Sequence, residues 1–436
     1  MRGSIMDVAE FDCGINVMKN EQGTILYLRT DISDREIVAG GSVSHTIGVI
    51  NGFINLGYRM IVASSMMQSH MQELSIARLR KLSNPKLISF LRWKLNCLFS
   101  NIFFTIQVLR FTRAERISYI YQRYGILNCV GILVSKIKRI PLVLEYNGSE
   151  VWVEREWAFK KKFQMLWLIE KIELFNLRSA DRIIVVSEPL KEELINRGIS
   201  SNKILVNPNG VDPELFNSNI LASQAKEIRV LHNIPGNAFV VGFVGTFSLW
   251  HGIETLAEII LKLNNKRDDI YFILVGDGPL KNFFDNEIAY LDKAKIIMPG
   301  LLAHASARKY LAACDAFISP NVPNKDGSRF FGSPTKLFEY MSLEKPVIAS
   351  DLEQLAQVIK PAVRADSYND KNQWRSACGF LAESGKSDQF ISAITAICDA
   401  SSNERFGIGN NARNEILHYY SWNKHVARID EFAKGR

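Results

Sequence analysis

Residues 239–252 read FVVGFVGTFSLWHG, an apolar run followed by a loop that contains glycine, threonine and histidine. A short apolar run of this kind predicts a buried strand, and the loop then leads into a helical pattern. The first half of the chain begins in the same way, with an apolar run followed by the turn Gly40-Gly41-Ser42. Because the strand, turn and helix start anew at residue 239, we predict two domains rather than one large sheet.

Apolar runs alternate with helical patterns on both sides of this stretch, as in α/β proteins with parallel sheets. The runs in the first half are 24–28, 58–64, 117–122, 141–146, 182–186 and 203–206, and those in the second half are 239–244, 270–275, 295–298, 316–319 and 346–349. Five or six buried strands in each half predict two doubly wound, Rossmann-like domains. Residues 208–224 are rich in turn formers, so we place the domains at 1–212 and 225–405.

The composition of the 436 residues is that of a globular protein, with 47% hydrophobic and 22% charged residues. The six cysteines form no CxxC pair, which argues against a zinc or iron–sulfur site. The start of the chain has no signal-peptide pattern, so we expect a cytoplasmic protein. The longest apolar stretch of the first half, 98–109, is shorter than the roughly 20 residues that a membrane-spanning helix needs.

Basic residues are concentrated in two segments, 71–116 and 152–175, of a chain whose net charge is +8. Both segments also contain tryptophan and other large apolar side chains. Basic helices with aromatic residues on the opposite face lie in the plane of anionic membranes. We therefore predict a peripheral protein on the inner face of the plasma membrane. The plainer alternative, that both segments are amphipathic helices packed on a sheet, stays open.

Several polar loops follow predicted strands, at the sheet edge where open α/β folds bind ligands. In the first half these are the Gly40-Gly41-Ser42 turn and residues 145–150, which read EYNGSE. In the second half they are residues 245–252 and the turn Gly276-Asp277-Gly278-Pro279. Residues 207–212, which read NPNGVD, follow the last strand of the first half. For each loop, a tight turn or hinge without a ligand is the alternative interpretation.

The stretch Gly332-Ser-Pro-Thr-Lys-Leu-Phe-Glu-Tyr-Met341 is the most informative of the chain. Ser333 is a favourable N-cap, and Pro334 suits the first helical turn. The helix would present free N–H groups together with Lys336, which favours a bound diphosphate. Glu339 lies three residues after Lys336 and faces the same side, where a carboxylate can hold two ribose hydroxyls. The alternative is a capped helix with a Lys–Glu pair on its surface.

These blocks resemble glycosyltransferase family 4, retaining enzymes whose GT-B fold has two Rossmann-like domains facing each other across a cleft. The resemblance rests on residues 40–65, 180–199, 204–212, 241–256, 272–280 and 333–351. Tyr121-Gln-Arg-Tyr124 and the 145–150 loop are similar to members that act on bacterial surface polysaccharides. Residues 406–436, which include Ser421-Trp422, resemble the terminal helix that returns to the first domain in this fold.

The resemblance implies that the second domain binds a nucleotide-sugar, UDP- or GDP-linked, and that the first binds a polysaccharide or lipid-linked acceptor. Glu339 would hold the ribose, Lys336 the diphosphate, and Asn147 would lie near the reacting sugar. The other donor-side residues would be Gly41, Gly245, Thr246, His251, Gly276, Gly278, Pro279, Ser333, Pro334, Thr335 and Leu337. The other acceptor-side residues would be Ser42, Arg123, Gly148, Ser149 and Glu150.

Three positions depart from the family pattern. Phe331 occupies the place of the first acid in the paired-glutamate motif, and Asp326 is the candidate to replace that acid. Thr246 and His251 stand where the family usually has arginine and lysine. Lys336 must then supply most of the positive charge of the donor site.

Glycosyl transfer requires that the negative charge on the leaving diphosphate be stabilised, which Lys336 and helix N–H groups would do. We expect Asn147, Asp326, Lys336 and Glu339 at the reaction centre. The sequence has no DxD motif at the end of a predicted strand, so we expect no catalytic metal. The sugar nucleotide is a substrate, and we expect no further cofactor.

Two other functions stay open at this point. One is a nucleotide-sugar 2-epimerase, which uses the same fold. The other is a basic nucleic-acid- or lipid-binding protein without catalysis. Nucleic-acid binding calls for basic residues spread over one face with stacking aromatics. Because the basic excess here is concentrated beside tryptophan and leucine, we expect lipid rather than nucleic acid as the partner.

Overall fold

The computed structural model describes residues 22–30, 40–65, 74–82, 93–156, 166–364 and 366–435. The chain divides into two compact units. The first comprises the described parts of 1–37, 49–207 and 426–436, and the second comprises those of 38–48 and 208–425. The domain ranges derived from the sequence stay predictions, because these units are defined by compactness alone.

In the described part of the first unit, seven strands form one parallel sheet in the order β3-β2-β1-β4-β5-β6-β7. The strand order reverses between β1 and β4, as in a doubly wound sheet. In chain order the elements are β1 (Thr24–Arg29), α1 (Gly41–Asn55), β2 (Arg59–Ser64), β3 (Arg78–Lys81), α2 (Trp93–Phe111), β4 (Tyr119–Arg123), α3 (Val130–Lys138), β5 (Leu142–Tyr146), α4 (Glu150–Glu156), α5 (Leu166–Ser179), β6 (Arg182–Val185), α6 (Glu188–Asn196) and β7 (Ile204–Val206).

The second unit repeats this plan within the residues described, with a parallel sheet in the order β10-β9-β8-β11-β12-β14-β13. Its elements are α7 (Ala222–Leu231), β8 (Phe239–Val244), α8 (Ile253–Asn264), β9 (Ile270–Val275), α9 (Lys281–Glu287), β10 (Ile296–Gly300), α10 (His304–Ala312), β11 (Ala316–Ser319), α11 (Thr335–Ser342), β12 (Val347–Ser350), α12 (Glu353–Val358), β13 (Ala362–Arg364), α13 (Lys371–Trp374), β14 (Gly379–Ala382), α14 (Ser387–Cys398) and α15 (Ser402–Glu415). The last helix, α16 (Trp422–Ala433), begins in this unit, and its residues from 426 onward belong to the first unit.

Both faces of the second sheet are covered by apolar cores. Successive side chains of a strand point to opposite faces. On β8, Val241 and Phe243 belong to one core and Val240 to the other. On β11, Ile318 and Phe317 divide between the cores in the same way. Because neither face meets water, these strands are continuous apolar runs, which is why the sequence marks them clearly.

The predicted α/β class and the double winding of both parallel sheets are confirmed. Every predicted strand forms, with ends that agree to within two residues. The strands β3, β13 and β14 were not predicted. They are only three or four residues long, and β3 reads RLRK, which gives no apolar run.

The two basic segments are not uniform amphipathic stretches, which corrects the sequence interpretation. Within 71–116, residues Arg78–Lys81 pair in parallel with β2 as an edge strand, a position that tolerates charged side chains. Most of the other described residues of this segment form α2. Within 152–175, the end of α4 and most of α5 are described, whereas Lys160, Lys161 and Lys162 lie outside the described residues.

Residues 426–436 complete the first unit. Val426 and Ile429 of α16 are fully buried. The Tyr58 hydroxyl donates a hydrogen bond of 2.5 Å to the Asp430 carboxylate. Arg182 Nε donates to the Phe432 carbonyl at 3.1 Å. The end of α16 is therefore an integral part of this unit, although the whole second unit precedes it in the chain.

Two glycines of α15 differ in what lies beyond their Cα atoms. A Cβ on Gly409 would overlap the backbone carbonyl of Glu344, whereas nothing lies within 4 Å of a Cβ on Gly407. We expect Gly409→Ala to lower the free energy of unfolding by about 1–3 kcal/mol through overpacking. Gly407→Ala should raise it by about 0.5–1 kcal/mol, because alanine is the better helix former. Urea denaturation measures both shifts, and shifts of the same sign would contradict this packing.

Candidate functional site

The second sheet reverses its strand order between β8 and β11, and ligands of open α/β sheets bind at such a switch point. Two segments leave the carboxyl ends of these strands, the 245–252 loop and the long loop 320–334. The long loop leads directly into α11. The residues expected to bind the donor therefore lie mainly at one edge of one sheet.

Glycines allow the backbones of the 245–252 loop and the 276–279 turn to pack closely against each other. A Cβ on Gly276 would overlap the carbonyl of Gly245, and a Cβ on Gly278 would lie 2.7 Å from the amide nitrogen of Phe247. Gly245 and Gly276 also have φ angles of +159° and +141°, which side chains disfavour. The packing of the loops thus explains Gly276 and Gly278 without a ligand, and Pro279 lies in the same turn.

Helix α11 begins one residue later than the sequence suggested. Its N-cap is Pro334, and no side chain caps it, so the prediction that Ser333 is the N-cap was wrong. The Ser333 hydroxyl instead accepts a hydrogen bond of 3.1 Å from the Asn209 amide. Asn209 Nδ2 also donates to the Ser333 carbonyl. These two bonds tie the start of α11 to the 207–212 loop and give Asn209 a structural role there.

Lys336 carries a buried amino group in the first turn of α11. The residue is only 5% exposed, and its Nζ has no hydrogen-bond partner among the described residues. The nitrogen lies 4.3 Å from the ring centroid of Phe243, in a cation–π arrangement. Burial lowers the pKa of the Lys336 ammonium to about 7. An unpaired, buried amine at a helix start is suited to an anionic ligand.

His251 lies close to this amine and is held by its own loop. Its Nδ1 is 2.5 Å from the carbonyl oxygen of Thr246. Burial, followed by the positive charge of Lys336, holds the pKa of the imidazole well below 6.5. At neutral pH the loop therefore contributes a neutral ring, and the Thr246 side chain is exposed.

Glu339 lies one turn beyond Lys336 and is 7% exposed. One of its carboxylate oxygens is 3.2 Å from Nε2 of His304, the first residue of α10. The ring of Phe216 meets the His304 ring edge to face, with centroids 5.3 Å apart. His304 was not predicted as a site residue, because nothing in the sequence indicates that α10 begins beside α11.

Other donor-side residues are placed less favourably. Leu337 is fully buried in the apolar core, and its amide donates to the Pro334 carbonyl. Neither group is left for a ligand, which corrects its assignment. Asp326 is exposed and accepts bonds from the amide and hydroxyl of Ser328, two residues on. Arg329 forms a two-point ion pair with Glu353, at 2.9 and 2.7 Å.

The Gly40-Gly41-Ser42 turn belongs to the second unit, together with the donor-side residues. Helix α1 begins at Gly41, within this turn. A Cβ on Gly41 would lie 2.9 Å from the Thr335 hydroxyl, so the first residues of α1 and α11 meet. Ser42 was assigned to the acceptor side, but it lies in this second unit.

In the first unit, the ends of β4 and β5 meet around Glu145, which is 1% exposed. Its carboxylate pairs with Arg123 at 3.0 Å and accepts a hydrogen bond of 2.9 Å from the Tyr121 hydroxyl. Asn147 Nδ2 donates to the same carboxylate. The predicted residues Arg123 and Asn147 thus lie together, and Glu145 fixes the direction of both side chains.

A second carboxylate holds the rest of the 145–150 loop. Glu173 of α5 is completely buried and accepts hydrogen bonds from the Ser149 hydroxyl at 3.1 Å and the Glu150 amide at 3.0 Å. It also pairs with Arg197 at 2.8 Å and accepts from the Tyr146 hydroxyl at 3.1 Å. Glu173 was not predicted as a site residue, because the basic and aromatic residues around it suggested a helix that faces a membrane.

Helix α2 presents an apolar stripe to solvent, here called the α2 apolar face (Phe99, Ile102, Phe103 and Ile106). These side chains are 38–56% exposed and follow the i, i+3, i+4, i+7 spacing of a single helix face. The opposite face buries polar residues, among them Ser100, Asn101 and Thr105. Within the described residues, no helix combines the length and the apolar composition needed to cross a bilayer.

The described residues contain no group of three or more His, Cys, Asp or Glu side chains arranged to hold a metal ion. In the first unit, Glu145 and Glu173 are each paired with an arginine. In the second unit, Lys336 has no hydrogen-bond partner among the described residues. The arrangement offers one buried cation and one buried carboxylate on α11, a set that suits the phosphate and hydroxyl groups of a nucleotide.

Two family models match the chain. The model described as Glycosyltransferase Family 4 matches residues 39–215, and the model described as Glycosyl transferases group 1 matches residues 238–400. The first match includes the Glu145 and Glu173 networks, and the second includes the 245–252 loop and all of α11. Together the two matches span most of both units.

Individual proteins agree with these matches. A Methanocaldococcus jannaschii protein named uncharacterized glycosyltransferase MJ1607 is 22% identical over 88% of this chain and 92% of its own. An Escherichia coli enzyme named UDP-Gal:alpha-D-GlcNAc-diphosphoundecaprenol alpha-1,3-galactosyltransferase is 26% identical over 75% of this chain and 77% of its own. The crystal structure of Anabaena Alr3699/HepE in complex with UDP and glucose covers 95% of this chain and 100% of its own, with a TM-score of 0.68 and 19% identity.

The likeness of the solved structure and the two seven-stranded parallel sheets show the two-domain GT-B fold that the sequence predicted. The family matches span most of both units, and the relatives are named as glycosyltransferases. The chain therefore belongs to glycosyltransferase family 4 and is an enzyme of the hexosyltransferase type.

Proposed function

We propose that this glycosyltransferase moves a hexose from a UDP- or GDP-sugar to a lipid-linked or polysaccharide acceptor, with retention of the anomeric configuration. The observation that carries the donor half is the buried Nζ of Lys336, which has no partner among the residues described. A diphosphate in front of α11 would accept hydrogen bonds from this group and from the amides of the first helical turn. Glu339 would accept hydrogen bonds from the ribose hydroxyls.

In the proposed reaction, the bond between the anomeric carbon and the diphosphate oxygen breaks, and a bond from that carbon to the acceptor oxygen forms. The proton of the acceptor hydroxyl goes to the leaving phosphate on the same face of the sugar, which preserves the configuration. Lys336 stabilises the charge that develops on the leaving oxygens. Asn147, fixed by Glu145, would contact the reacting sugar, as the family resemblance implies, and no metal is required in this scheme.

The acceptor half rests on the Escherichia coli relative, whose name gives a diphosphoundecaprenol-linked acceptor and a UDP-sugar donor. The 145–150 loop would bind the acceptor sugar with Ser149, Glu150 and Gly148, at the edge of the sheet in the first unit. Arg123 lies beside this loop, where its guanidinium pairs with Glu145 and helps to hold that carboxylate in place.

The α2 apolar face supports a peripheral position on a membrane that holds such an acceptor, which would place the enzyme on the cytoplasmic leaflet. The inward face of α2 already buries Phe104, Val108 and Phe111 together with polar residues, so the exposed side chains form a second apolar face, as in a helix that lies on a membrane. Trp167 and Phe175 of α5 are exposed as well, by 54% and 51%. Arg110 and Arg113 near the end of α2 are exposed and favour anionic lipid.

The two alternative functions are not favoured. Both relatives described above are named as glycosyltransferases rather than as epimerases. A nucleic-acid-binding role without catalysis does not explain a family match that includes the whole of α11.

A screen of donors tests the proposal directly. Binding to the folded state alone raises the melting temperature, so UDP-, GDP- and ADP-sugars are compared by thermal shift. We expect a UDP- or GDP-sugar to give the largest shift, and the same compound to label a polyprenyl-diphosphate-linked sugar in a transfer assay. A protein that responds to none of these sugars, or that forms an epimer of the donor without an acceptor, would overturn the proposal.

Donor binding should depend on pH through Lys336. Because burial lowers the pKa of its ammonium to about 7, the group loses its proton as the pH rises from about 6 to about 8. His251 stays neutral over this range, since its pKa lies well below 6.5. UDP-glucose keeps its two diester charges throughout. We expect its dissociation constant, measured by calorimetry, to rise about tenfold over this interval as the charged hydrogen bond is lost.

Lys336→Met is the matched control, because it keeps the apolar stem and removes the charge. This variant should bind UDP-glucose weakly and equally at both pH values. GDP-mannose is measured in parallel in case guanine is the preferred base. Equal pH slopes in the two proteins would show that another group titrates.

Glu173 should affect the acceptor and not the donor. Glu173→Gln replaces an oxygen that accepts from the loop with an amide that cannot, so the 145–150 loop loses its anchor. We expect kcat/KM for the acceptor to fall by about tenfold, the scale of one hydrogen bond to a charged group, with donor affinity unchanged. Glu193→Gln is the control, since Glu193 also pairs with Arg197, at 3.3 Å, but is 38% exposed. Equal losses in both variants would contradict the role of Glu173.

Replacing the four residues of the α2 apolar face by serine should abolish binding to phosphatidylglycerol vesicles and spare UDP-glucose binding, because the apolar contact area is removed. Vesicle flotation measures the first and calorimetry the second. The control replaces Val230 and Leu231 of α7 by serine, which are 77% and 65% exposed. Vesicle binding that survives the α2 variant, or that is lost equally in the control, would rule out this face.

A further inference from the structure

We infer that His304 is a positioning residue that orients the Glu339 carboxylate for the two ribose hydroxyls of the donor. The inference rests on the proposed role of Glu339 and adds to it a residue on a different helix. It predicts that discrimination between ribose and deoxyribose in the donor depends on a side chain that need not touch the sugar itself.

The contact between the two side chains has a defined direction. His304 Nε2 lies 3.2 Å from one oxygen of Glu339. An ionised carboxylate only accepts hydrogen bonds, so the imidazole must carry its proton on Nε2. The Glu339 side chain is 10% exposed, so His304 supplies a partner where water has little access. The bond therefore fixes the rotation of the carboxylate about its last torsion.

The imidazole is itself held in place from the helix that carries Glu339. Phe216 packs edge to face on the His304 ring. The Phe216 carbonyl accepts hydrogen bonds from the Ser342 hydroxyl at 3.0 Å and from Arg413 Nη1 at 3.2 Å. Ser342 and Glu339 both belong to α11. The contacts thus form a closed ring from α11 through Phe216 and His304 back to α11.

The chemistry of a vicinal diol explains why this orientation matters. Two neighbouring hydroxyls can both donate to one carboxylate only if its plane lies in the right direction. With one lone pair of Oε1 occupied by His304, the other lone pair and Oε2 remain for the sugar. A carboxylate that rotates freely would have to be ordered on binding, which costs conformational entropy and weakens both hydrogen bonds.

The experiment compares a nucleoside diphosphate with its 2′,3′-dideoxy form. The probe is UDP or GDP, whichever the wild-type protein binds more tightly, and calorimetry gives both dissociation constants. We expect the wild type to prefer the ribose form by on the order of 100-fold, as for two hydrogen bonds to a charged group. His304→Ala should reduce this ratio about tenfold and leave the affinity for the dideoxy form unchanged.

Two further variants separate positioning from mere packing. The amide nitrogen of glutamine reaches the position of Nε2, whereas that of asparagine reaches only the position of Nδ1. His304→Gln should therefore retain most of the ribose preference, and His304→Asn should behave like His304→Ala. If His304→Ala does not fold, the comparison of the glutamine and asparagine variants carries the test.

The outcomes distinguish the inference from the proposal beneath it. If His304→Ala weakens both nucleotides equally, or if glutamine and asparagine act alike, His304 is only a packing residue and the inference is overturned. If Glu339→Gln leaves the ribose preference of the wild type intact, or if the wild type has no such preference, the proposed role of Glu339 is itself wrong. Loss of the preference in Glu339→Gln and His304→Ala, with rescue in His304→Gln, supports both.

Discussion

The proposed ligand site of the second unit depends on one buried cation, the Lys336 ammonium, which has no hydrogen-bond acceptor among the residues described. Burying an ammonium costs free energy unless an anion or a hydrogen-bond acceptor accompanies it. Here Nζ of Lys336 lies over the face of Phe243 with no hydrogen-bond partner among the described residues, and burial lowers the pKa of its ammonium to about 7. The protein thus carries a local cost in its unliganded state that an anionic ligand would remove. Such a departure from good core design is expected where binding rather than stability has been selected.

The position of that charge depends on a rigid attachment of α11 to the sheet. The ring of Tyr340 stacks on Phe317 of β11, with centroids 4.1 Å apart and planes 3° from parallel. The Tyr340 hydroxyl also accepts a hydrogen bond of 2.7 Å from the Val244 amide at the end of β8. One side chain therefore connects the helix to both strands at the switch point. Because Lys336 lies four residues earlier on the same helix, this attachment also fixes the side of the sheet toward which Lys336 points.

The sequence was informative where a structural role demands a particular residue type over several positions. Doubly buried strands such as β8 must be apolar throughout, so they were recognised, and the polar residues of α11 stood out against its apolar remainder. The edge strand β3 was missed because charged side chains are allowed there. The N-cap of α11 was misplaced because the Ser333 hydroxyl has a distant competitor in Asn209, which only the folded chain brings near.

The same reasoning explains which site residues were not found. Glu173 and His304 act through partners on other elements, so neither belongs to a local motif. Glu173 shares α5 with the exposed aromatic residues Trp167 and Phe175, which led to the prediction of a membrane-facing helix. Arg329 lies on the same long loop as Asp326, but Glu353 of α12 neutralises it with two hydrogen bonds. The residue types predicted a site that binds phosphate and hydroxyl groups. Ion pairs and hydrogen bonds between different helices and strands decide which of those residues remain available to a ligand.

The arrangement of the last helix has a consequence for the order of folding during synthesis. Domains usually fold one after another as the chain leaves the ribosome, beginning with the first. Here the first unit needs Val426, Ile429 and Asp430, which are translated only after the whole second unit. Its core must therefore stay open, with Tyr58 lacking its carboxylate partner, until the second unit has emerged. Nascent chains of this enzyme should for that reason depend on protection of the unfinished first unit, and termination before residue 426 would leave that unit incomplete.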